Sequence, residues 1–394
     1  MEPVGEKILQ LDAVLLATMA CKASGRENLR LEGWQAQKLS GGAELGSTIQ
    51  RISGEGTADG ESVPWSLILK TITCVTTNSG SPQASHFWKR EPYYYQSGLL
   101  DALPVGLRAP RCYACFEHSG CEQPGSFQLF LEYIRDAFNG SGSGHSWPLP
   151  YFRTAARCLG QFNGAYLMET LIPKAEWIPR NWFKAYIEEA TPKFDPFFSS
   201  LQLPIPRRFI RSLSPDLIGQ AWEQRHEIYA ALDRLPKVFC HNDAFSRNLF
   251  AENTPTGDRL VAVDWSYAGP GPLGFELVAL VSASLGMGPI PFTESNQLTQ
   301  LALDGYLEGL GDVGWHGNPD LVRFAFSAGC FWRNLFGMLI GENTEYIVNE
   351  ANYPSVEKET GISMEQLADS IGVWMDWSMP YYEETMRLKK ALNL

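Results

Sequence analysis

The sequence predicts an α+β protein of two lobes, a small β-rich N-terminal lobe and a larger, mainly helical C-terminal lobe. Three observations carry this. The first third alternates apolar runs with glycine-containing turns. A linker-like stretch, NGSGSGH, occupies Asn139 to His145. Helical periodicity dominates after it. The 394 residues allow one large or two ordinary domains, and the lobes are placed at 1–132 and 133–394. A hydrophobic fraction of 44% and a charged fraction of 19% are those of an ordinary soluble chain and argue against long disorder. The formal net charge of -12 argues against nucleic acid as the main partner.

The elements follow in order. Ile8 to Ala20 is apolar, but Asp12 interrupts it and it falls short of the roughly 20 residues a membrane span needs. The spacing of Ile8, Leu11, Leu15 and Leu16 fits an amphipathic helix instead. No other segment is apolar enough to cross a membrane, so a cytoplasmic protein is expected. Trp34 to Leu39 has strand character, Ser40 to Ser47 (SGGAELGS) is a glycine-rich turn, and Thr48 to Ile52 is the returning strand. Gly54 to Ser62 reads as a polar turn. Trp65 to Ile72 (WSLILKTI) is an apolar strand with one lysine, Lys70. After a turn at Thr77 to Ser81, Phe87 to Leu100 reads as a helix containing Glu91, with Pro92 either near its first turn or kinking it. Phe127 to Ile134 is a further strand, and Tyr151 to Met168 is a helix. Asn248 to Phe250 and Arg259 to Asp264 flank AENTPTGD as a hairpin, and helices fill the chain from Glu276 onward.

Eight cysteines lie at 21, 74, 112, 115, 121, 158, 240 and 330. Only Cys112 and Cys115 form a C-x-x-C pair, expected to share a strand face, and no close His or second pair completes a zinc site. The set reads as reduced cytosolic thiols. Cys240 beside His241 is not a nucleophile pair, because neighbours on an extended chain point oppositely.

The chemistry concentrates in Val238 to Phe250, VFCHNDAFSRNLF. His241, Asp243 and Asn248 have the H-x-D-x-x-x-x-N spacing of a phosphoryl-transfer loop. Asp243 can accept a hydroxyl proton, and the amide oxygen of Asn248 can hold Mg²⁺. Asp264, in LVAVDW just past the hairpin, supplies a second hard oxygen ligand of the kind Mg²⁺ prefers. The plainer reading is a capped turn between a strand end and a hairpin, since Asp and Asn are common turn formers. The paired Asp264 and the apolar flanks favour the chemical one. His241 is expected to bond backbone near the loop.

CHNDAFSRNLF followed by VAVDWSYAGPGPLGFEL resembles the aminoglycoside phosphotransferase and choline kinase family, which has a protein-kinase-like fold. Asn242 stands where that family commonly has glycine, and Pro272 and Glu276 stand where aspartates are common. The resemblance implies Asp243 as catalytic base, and Asn248 and Asp264 as magnesium ligands. It implies a phosphate-contacting lysine at Lys70, paired with Glu91; Glu117 and Glu132 are the competing partners, and a snorkelling lysine is the plainer reading. It further implies a phosphate-covering turn with Gly41 and Gly42, and adenine contacts from the backbone of Glu132, Tyr133 and Ile134. The cofactors implied are ATP and Mg²⁺, the partner a small-molecule hydroxyl substrate. RCLGQFNGAYL resembles the family's early helix of the second lobe.

The expected function is a kinase that moves the γ-phosphate of ATP to a hydroxyl of an amino alcohol, sugar or aminoglycoside-like molecule. A kinase-like nucleotide-binding module and a nucleotidyl transferase on the same fold are the alternatives. D-W in place of D-F-G and the lack of an A-P-E-like segment count against a protein kinase. The aromatic clusters Phe324 to Phe336 and Trp374 to Tyr382 fit either core or an amine pocket. Glu342, Glu345 and Asp376 are the acidic residues that could meet an amine.

Overall fold

A computed structural model describes residues 12–39, 46–74, 80–118, 125–138, 147–167, 171–255, 257–288 and 290–394. The chain divides into two compact units: Met1–Thr77, Tyr95–Asp101 and Pro110–Ile134 in the first, and Asn78–Tyr94, Ala102–Ala109 and Arg135–Leu394 in the second. The α+β organisation is the expected one, with a β-rich first unit and a mainly helical second one. The turn residues Ser40 to Leu45, with Gly41 and Gly42, and the linker residues from Asn139 lie outside the described residues.

In chain order the first elements are α1 (Ala13–Ser24), β1 (Arg30–Leu39), β2 (Ser47–Ala58), β3 (Glu61–Thr73), α2 (Arg90–Gln96), β4 (Leu107–Arg108), β5 (Cys112–His118) and β6 (Ser126–Glu132). Asp12 ends the amphipathic helix on its N-terminal side by accepting the amides of Val14 (2.7 Å) and Leu15 (3.3 Å). Gly25, at φ 68°, closes the other end. The first unit is a five-stranded sheet of order β1-β2-β3-β6-β5 with every pair antiparallel. Alternation along β3 sends Trp65, Leu67 and Leu69 to one face, where they join Leu16, Met19 and Ala20 of α1, Ile52 and Phe130 in a closed core. Lys70 has the opposite parity and takes the other face, between Ile49 of β2 and Leu129 of β6.

Gly54 to Ser62 is strand rather than a broad turn. β2 runs through to Ala58, and the chain reverses only at Asp59-Gly60, both with positive φ (53° and 82°). Gly54 and Gly56 belong to the sheet because the neighbouring strand comes close. A Cβ at Gly54 would strike the carbonyl oxygen of Gly33, and one at Gly56 would meet that of Arg30 at 2.6 Å. The helix expected over Phe87 to Leu100 is shorter, and Gly98 at φ 74° turns the chain soon after its end. Pro92 does sit in its first turn. Cys112 and Cys115 share a face, but only because of an irregularity in register: Cys112 pairs Leu131 while Cys115 pairs Leu129. Cys21, Cys158, Cys240 and Cys330 are free thiols.

The second unit adds α3 (Tyr151–Gly164), α4 (Trp182–Glu188), α5 (Thr191–Ser200), α6 (Pro204–Arg208) and α7 (Pro215–Asp233). Four strands follow: β7 (Lys237–Cys240), β8 (Leu249–Thr254), β9 (Gly257–Ala262) and β10 (Gly269–Pro272). β8 and β9 form the expected hairpin, extended by a parallel pairing of β4 with β9, and β7 pairs β10. A π-helical turn, Ala279–Ala283, leads into α8 (Ser284–Gly286), then α9 (Ser295–Asp312) and α10 (Pro319–Ala328). A second π-helix covers Gly329–Glu342, and α11 (Asn343–Val348), α12 (Tyr353–Thr360), α13 (Met364–Ser378) and α14 (Pro380–Ala391) complete the chain. No helix of the described residues is long and apolar enough to cross a membrane. The late aromatics are core: Trp332 donates to Ala221 O (3.1 Å) and Trp374 to Ser282 Oγ (2.9 Å).

α3 and α9 approach so closely that their backbones touch through glycines four residues apart. A Cβ on Gly160 would strike Tyr306 O, one on Gly305 would strike Arg153 O, and one on Gly309 would strike Arg157 O. Arg153–Glu308 and Arg157–Asp312 (2.6 Å) bridge the exposed rim of the pair. Such exposed pairs add little, so the glycine contacts set the spacing. Gly309→Ala and Gly305→Ala are expected to lose about 1–3 kcal/mol each, because backbone atoms cannot yield as a side chain would. Gly311→Ala, with nothing within 4 Å of the added methyl, is expected to be neutral or to gain up to about 1 kcal/mol. Thermal unfolding of the three variants checks this ordering.

Candidate active site

The stretch from Cys240 to Asn248 leaves β7, turns, and enters β8, so its polar residues are framed by two short strands. Its conformation begins with Asn242, which has φ 64°. That left-handed value suits glycine, and among other residues asparagine tolerates it best. Asn242 therefore replaces glycine at small conformational cost, and its side chain adds a bond to Tyr267 O (3.0 Å). The backbone around it is held by Glu276, which accepts the amides of His241 (2.6 Å) and Asn242 (2.9 Å). Asn163 of α3 reaches the same carboxylate at 3.4 Å and Phe239 O at 2.8 Å, while Tyr306 of α9 donates to its side-chain oxygen (2.8 Å). Burial pushes Glu276 up to a pKa of about 7, against the bonds from His241, Asn163 and Asn242.

His241 is structural in its contacts. Its Nδ1 accepts the Asp243 amide (3.3 Å), so Nε2 carries the proton and donates to Val263 O (3.0 Å). Its ring packs edge-on to Trp265 at 4.7 Å. Asn248 donates to Asp243 Oδ2 (2.7 Å) and Asp243 O (3.1 Å), which brings these two candidate residues into direct contact. The Val263 amide in turn donates to Asn248 O (2.9 Å), so the root of the hairpin sets Asn248 beside the residues that lead from β9 to Asp264. Asp264 has φ 63° and accepts a bond from Ser266 (2.8 Å). Its charge is felt at Asp243. Burial raises Asp243 to a pKa of about 7; Arg333 and the Asn248 bond oppose this, and Asp264 and Glu342 add to it.

The other described residues predicted for a nucleotide lie on the first unit and on α2. Lys70 is 5% exposed on β3 of the first unit, whereas Glu91 is 1% exposed on α2 in the part belonging to the second. Glu132 pairs Leu67, which puts it on the sheet face opposite Lys70, and it accepts the Arg111 amide (3.1 Å). That parity removes Glu132 as the partner of Lys70. Tyr133 lies beneath the Arg51 guanidinium at 4.1 Å, and Ile134 is buried.

Other residues at the Asp243 site were not singled out by the sequence. Arg333 Nη2 is 3.5 Å from Asp243 Oδ1, with the guanidinium 5.1 Å above the Trp182 ring and 6.0 Å from that of Tyr186. Trp182 and Tyr186 are stacked at 4.8 Å, and Trp182 also meets Tyr267 at 5.1 Å. Tyr186 donates to Glu342 (2.7 Å), and Tyr267 bonds His86 Nδ1 (2.8 Å). The other nitrogen of His86 faces Glu189 at 3.4 Å and Glu342 at 3.8 Å. Burial opposes protonation of His86, but Glu189 and Glu342 outweigh it and raise its pKa. Arg90, wholly buried, fixes this corner by donating to the carbonyls of Ser85 (2.7 Å), Ser266 (2.8 Å) and Pro82 (3.1 Å). Glu342 is itself 36% exposed and is distinguished by its bond to Tyr186, whereas Asp376 pairs Arg211 (2.8 Å).

The donor set suits a hard cation. Asn248 uses its NH₂ on Asp243, which leaves its amide oxygen for a metal, and Asp264 offers a carboxylate nearby. Among the described residues no three His, Cys, Asp or Glu side chains gather to hold a metal by themselves. One amide and one carboxylate are what Mg²⁺ uses when phosphates and waters complete its shell.

Residues 178–315 match the family model described as "Phosphotransferase enzyme family". The matched stretch contains Asp243, Asn248, Asp264 and Glu276, so it falls on the residues that carry the sequence resemblance. That stretch is therefore similar to the phosphotransferase family over about a third of the chain. Among solved structures, the chain is similar to an amicoumacin kinase in complex with AMP-PNP, Ca²⁺ and Ami (12% identity, 86% of this chain and 88% of that one, TM-score 0.49). It is also similar to a microcompartment-associated aminopropanol kinase (13%, 95% and 99%, 0.48) and to a Plasmodium vivax ethanolamine kinase (8%, 89% and 83%, 0.46). A comparison with curated proteins gives no match.

The loop geometry sets an order among variants. Asn242→Gly is expected to fold nearly as well as wild type, losing about 1 kcal/mol with its bond to Tyr267. Asn242→Ala should lose about 1–2 kcal/mol more for a methyl-bearing residue at positive φ. Glu276→Ala leaves two buried amides unpaired and should cost more than either, about 2–5 kcal/mol. Denaturant unfolding measures all three, and Asn242→Ala matching Asn242→Gly would rule out the conformational account.

Proposed function

We propose that the protein is an ATP- and Mg²⁺-dependent kinase that transfers the γ-phosphoryl group to a hydroxyl of a small molecule. The observation that carries this reading is the Asp243–Asn248 pair at the root of the hairpin, with the charge of Asp264 felt at Asp243, inside the stretch that matches the phosphotransferase family. Asp243 would accept the acceptor's proton at Oδ1, since Oδ2 is taken by Asn248. Arg333 and Asn248 hold the carboxylate in place, and its raised pKa puts it near the value a base at neutral pH needs. Asn248 and Asp264 would hold Mg²⁺, which when bound neutralises phosphate oxygens and aligns the transferring group. Lys70 is assigned to the nucleotide phosphates, Glu91 to orienting that lysine, Gly41 and Gly42 to covering the phosphates, and the backbone of Glu132 to Ile134 to the adenine. The Trp182–Tyr186 stack, with Glu342, Glu189 and His86, is assigned to the acceptor, which favours an amino alcohol, sugar or aminoglycoside-like molecule.

An ADP-release screen over amino alcohols, sugars and aminoglycosides tests the assignment, with Asp243→Asn as the blank. Asp243→Ala is expected to lower kcat by about 10²–10⁴-fold with ATP still bound. Near-normal turnover in that variant would sink the role of Asp243. In wild type, kcat/KM should fall about tenfold per pH unit on the acid side, with an apparent pKa at or below about 7 because bound Mg²⁺ favours the anion.

The same raised pKa has a consequence for stability. The folded state binds the Asp243 proton more tightly than the unfolded chain does. Stability from this group is therefore full below about pH 4 and is lost as pH rises through about 7. Asp243→Asn escapes that loss. In metal-free buffer it should melt higher than wild type at pH 8, by an amount of order 2–4 kcal/mol, with the gap narrowing at pH 5. Melting curves with EDTA at the two pH values read this directly; a gap that widens toward pH 5 would contradict the burial of the charge.

A further inference from the structure

The carboxylates around Asp243 find partners within the chain. Glu342 accepts from Tyr186 at 2.7 Å, and Glu189 is met by His86 at 3.4 Å and by the Ser85 hydroxyl. Two donors near Asp243 are less fully matched among the described residues. Arg333, 12% exposed, reaches Asp243 only at 3.5 Å, longer than the roughly 2.7–2.9 Å of a charge-assisted bond. Its Nη1 is buried and has no acceptor among the described residues. Trp182, whose ring supports the guanidinium, is wholly buried, and its Nε1 also has no acceptor there. A buried donor left without an acceptor is destabilising, because it has given up its water and gained nothing in return. Two of them in one stack, with Arg333 beside the candidate base, suit an oxygen that none of the described residues supplies.

The winding of the chain is arranged for this. Arg333 and Glu342 are nine residues apart. At ~100° per residue an α-helix would put them on opposite sides. Gly329–Glu342 is instead a π-helix, whose i→i+5 bonding gives about 4.4 residues per turn, so nine residues make roughly two turns and both side chains share a face. Gly337, between them, is small enough to admit Tyr186: a Cβ there would strike its ring. One helix face therefore presents a guanidinium near Asp243 and a carboxylate beyond it, with the Tyr186 ring packed between.

We infer that Arg333 holds an anionic oxygen of a reacting ligand beside Asp243, either an oxygen of the transferring phosphoryl group or a carboxylate oxygen on the acceptor. A planar guanidinium resting on aromatic faces keeps its N–H edge for this purpose, which an ammonium could not match. The inference uses the kinase reading only to say which ligand brings the oxygen.

Binding of inorganic phosphate and of acetate to the metal-free full chain, measured by calorimetry, tests this without relying on turnover. Wild type should bind one of them at least tenfold more tightly than Arg333→Gln, with Arg333→Lys between the two and Asp243→Asn retaining binding. Preference for phosphate assigns the oxygen to the phosphoryl group, and preference for acetate assigns it to the acceptor. Transfer assays give the second arm. A phosphoryl contact predicts a kcat loss of about 10²-fold or more in Arg333→Gln on every acceptor. A carboxylate contact predicts a KM increase confined to carboxylate-bearing hydroxy acids. Equal anion binding by wild type and Arg333→Gln overturns the inference, as does a loss in Arg333→Gln that follows a lowered Tm and that neither Arg333→Lys nor added guanidinium restores. If the anion contrast is found but no acceptor is phosphorylated by wild type, the kinase reading fails while the anion site stands.

Discussion

The carboxylate of Glu276 is the constraint on which the Asp243 site depends. Two consecutive amides, those of His241 and Asn242, end on it, and no strand could have used them, because the chain leaves β7 there to turn. Without an acceptor, two buried N–H groups would oppose the turn that aims Asp243. Glu276 is itself placed by Asn163 and, through it, by Tyr306. Those two residues come from α3 and α9, whose separation is set by glycines meeting backbone. A helix–helix contact remote from the chemistry thus reaches the loop through three hydrogen-bonded side chains.

This explains which parts of the site the sequence displays. Asp243, Asn248 and Asp264 lie within 22 positions of one another on a strand, a turn and a hairpin, and local patterning determines all three. The apolar flanks and the turn residues sufficed. Asn242 looked anomalous in the sequence and has a physical reason once φ 64° is known, since glycine and asparagine answer the same demand. Gly54 and Gly56 misled for a related cause. Glycine signals a turn when φ is positive, but it also admits a close neighbouring strand, and only the strand pairing separates the two.

Trp182, Tyr186, His86, Glu189 and Arg333 were not legible, because nothing local marks them. They converge from the segment before α2, from α4 and its C-terminal end, and from the π-helix, over distances no short motif spans. Periodicity would even have excluded one of the pairings. Read as α-helix, the stretch from Gly329 to Glu342 puts Arg333 and Glu342 on opposite faces, and only i→i+5 winding unites them. A single Gly337, which reads as a weak spot in a helix, turns out to be where Tyr186 enters. Glu342 had been named beside Glu345 and Asp376 with no means of choosing. The choice rests on the bond that Tyr186 gives Glu342 at the end of the π-helix, while Asp376 is held by Arg211.

The charge balance then follows from local structure rather than from the whole chain. A protein of net charge -12 is poorly suited to polyanions on average, yet averages do not act at a site. Around Asp243 the acidic groups are divided by their partners. Glu189 is drawn below the usual carboxylate range despite its burial, by bonds and charge from His86 and a bond from Ser85. Glu342 is raised by burial more than His86, Tyr186 and Arg333 can lower it. One carboxylate is thus held charged, and the other takes up a proton more readily than a free glutamate. Arg333 is left as the group whose donors exceed its acceptors. An anion arriving there meets a cation on an aromatic bed and carboxylates already engaged elsewhere, which is how an acidic chain can present a locally receptive surface to negative charge.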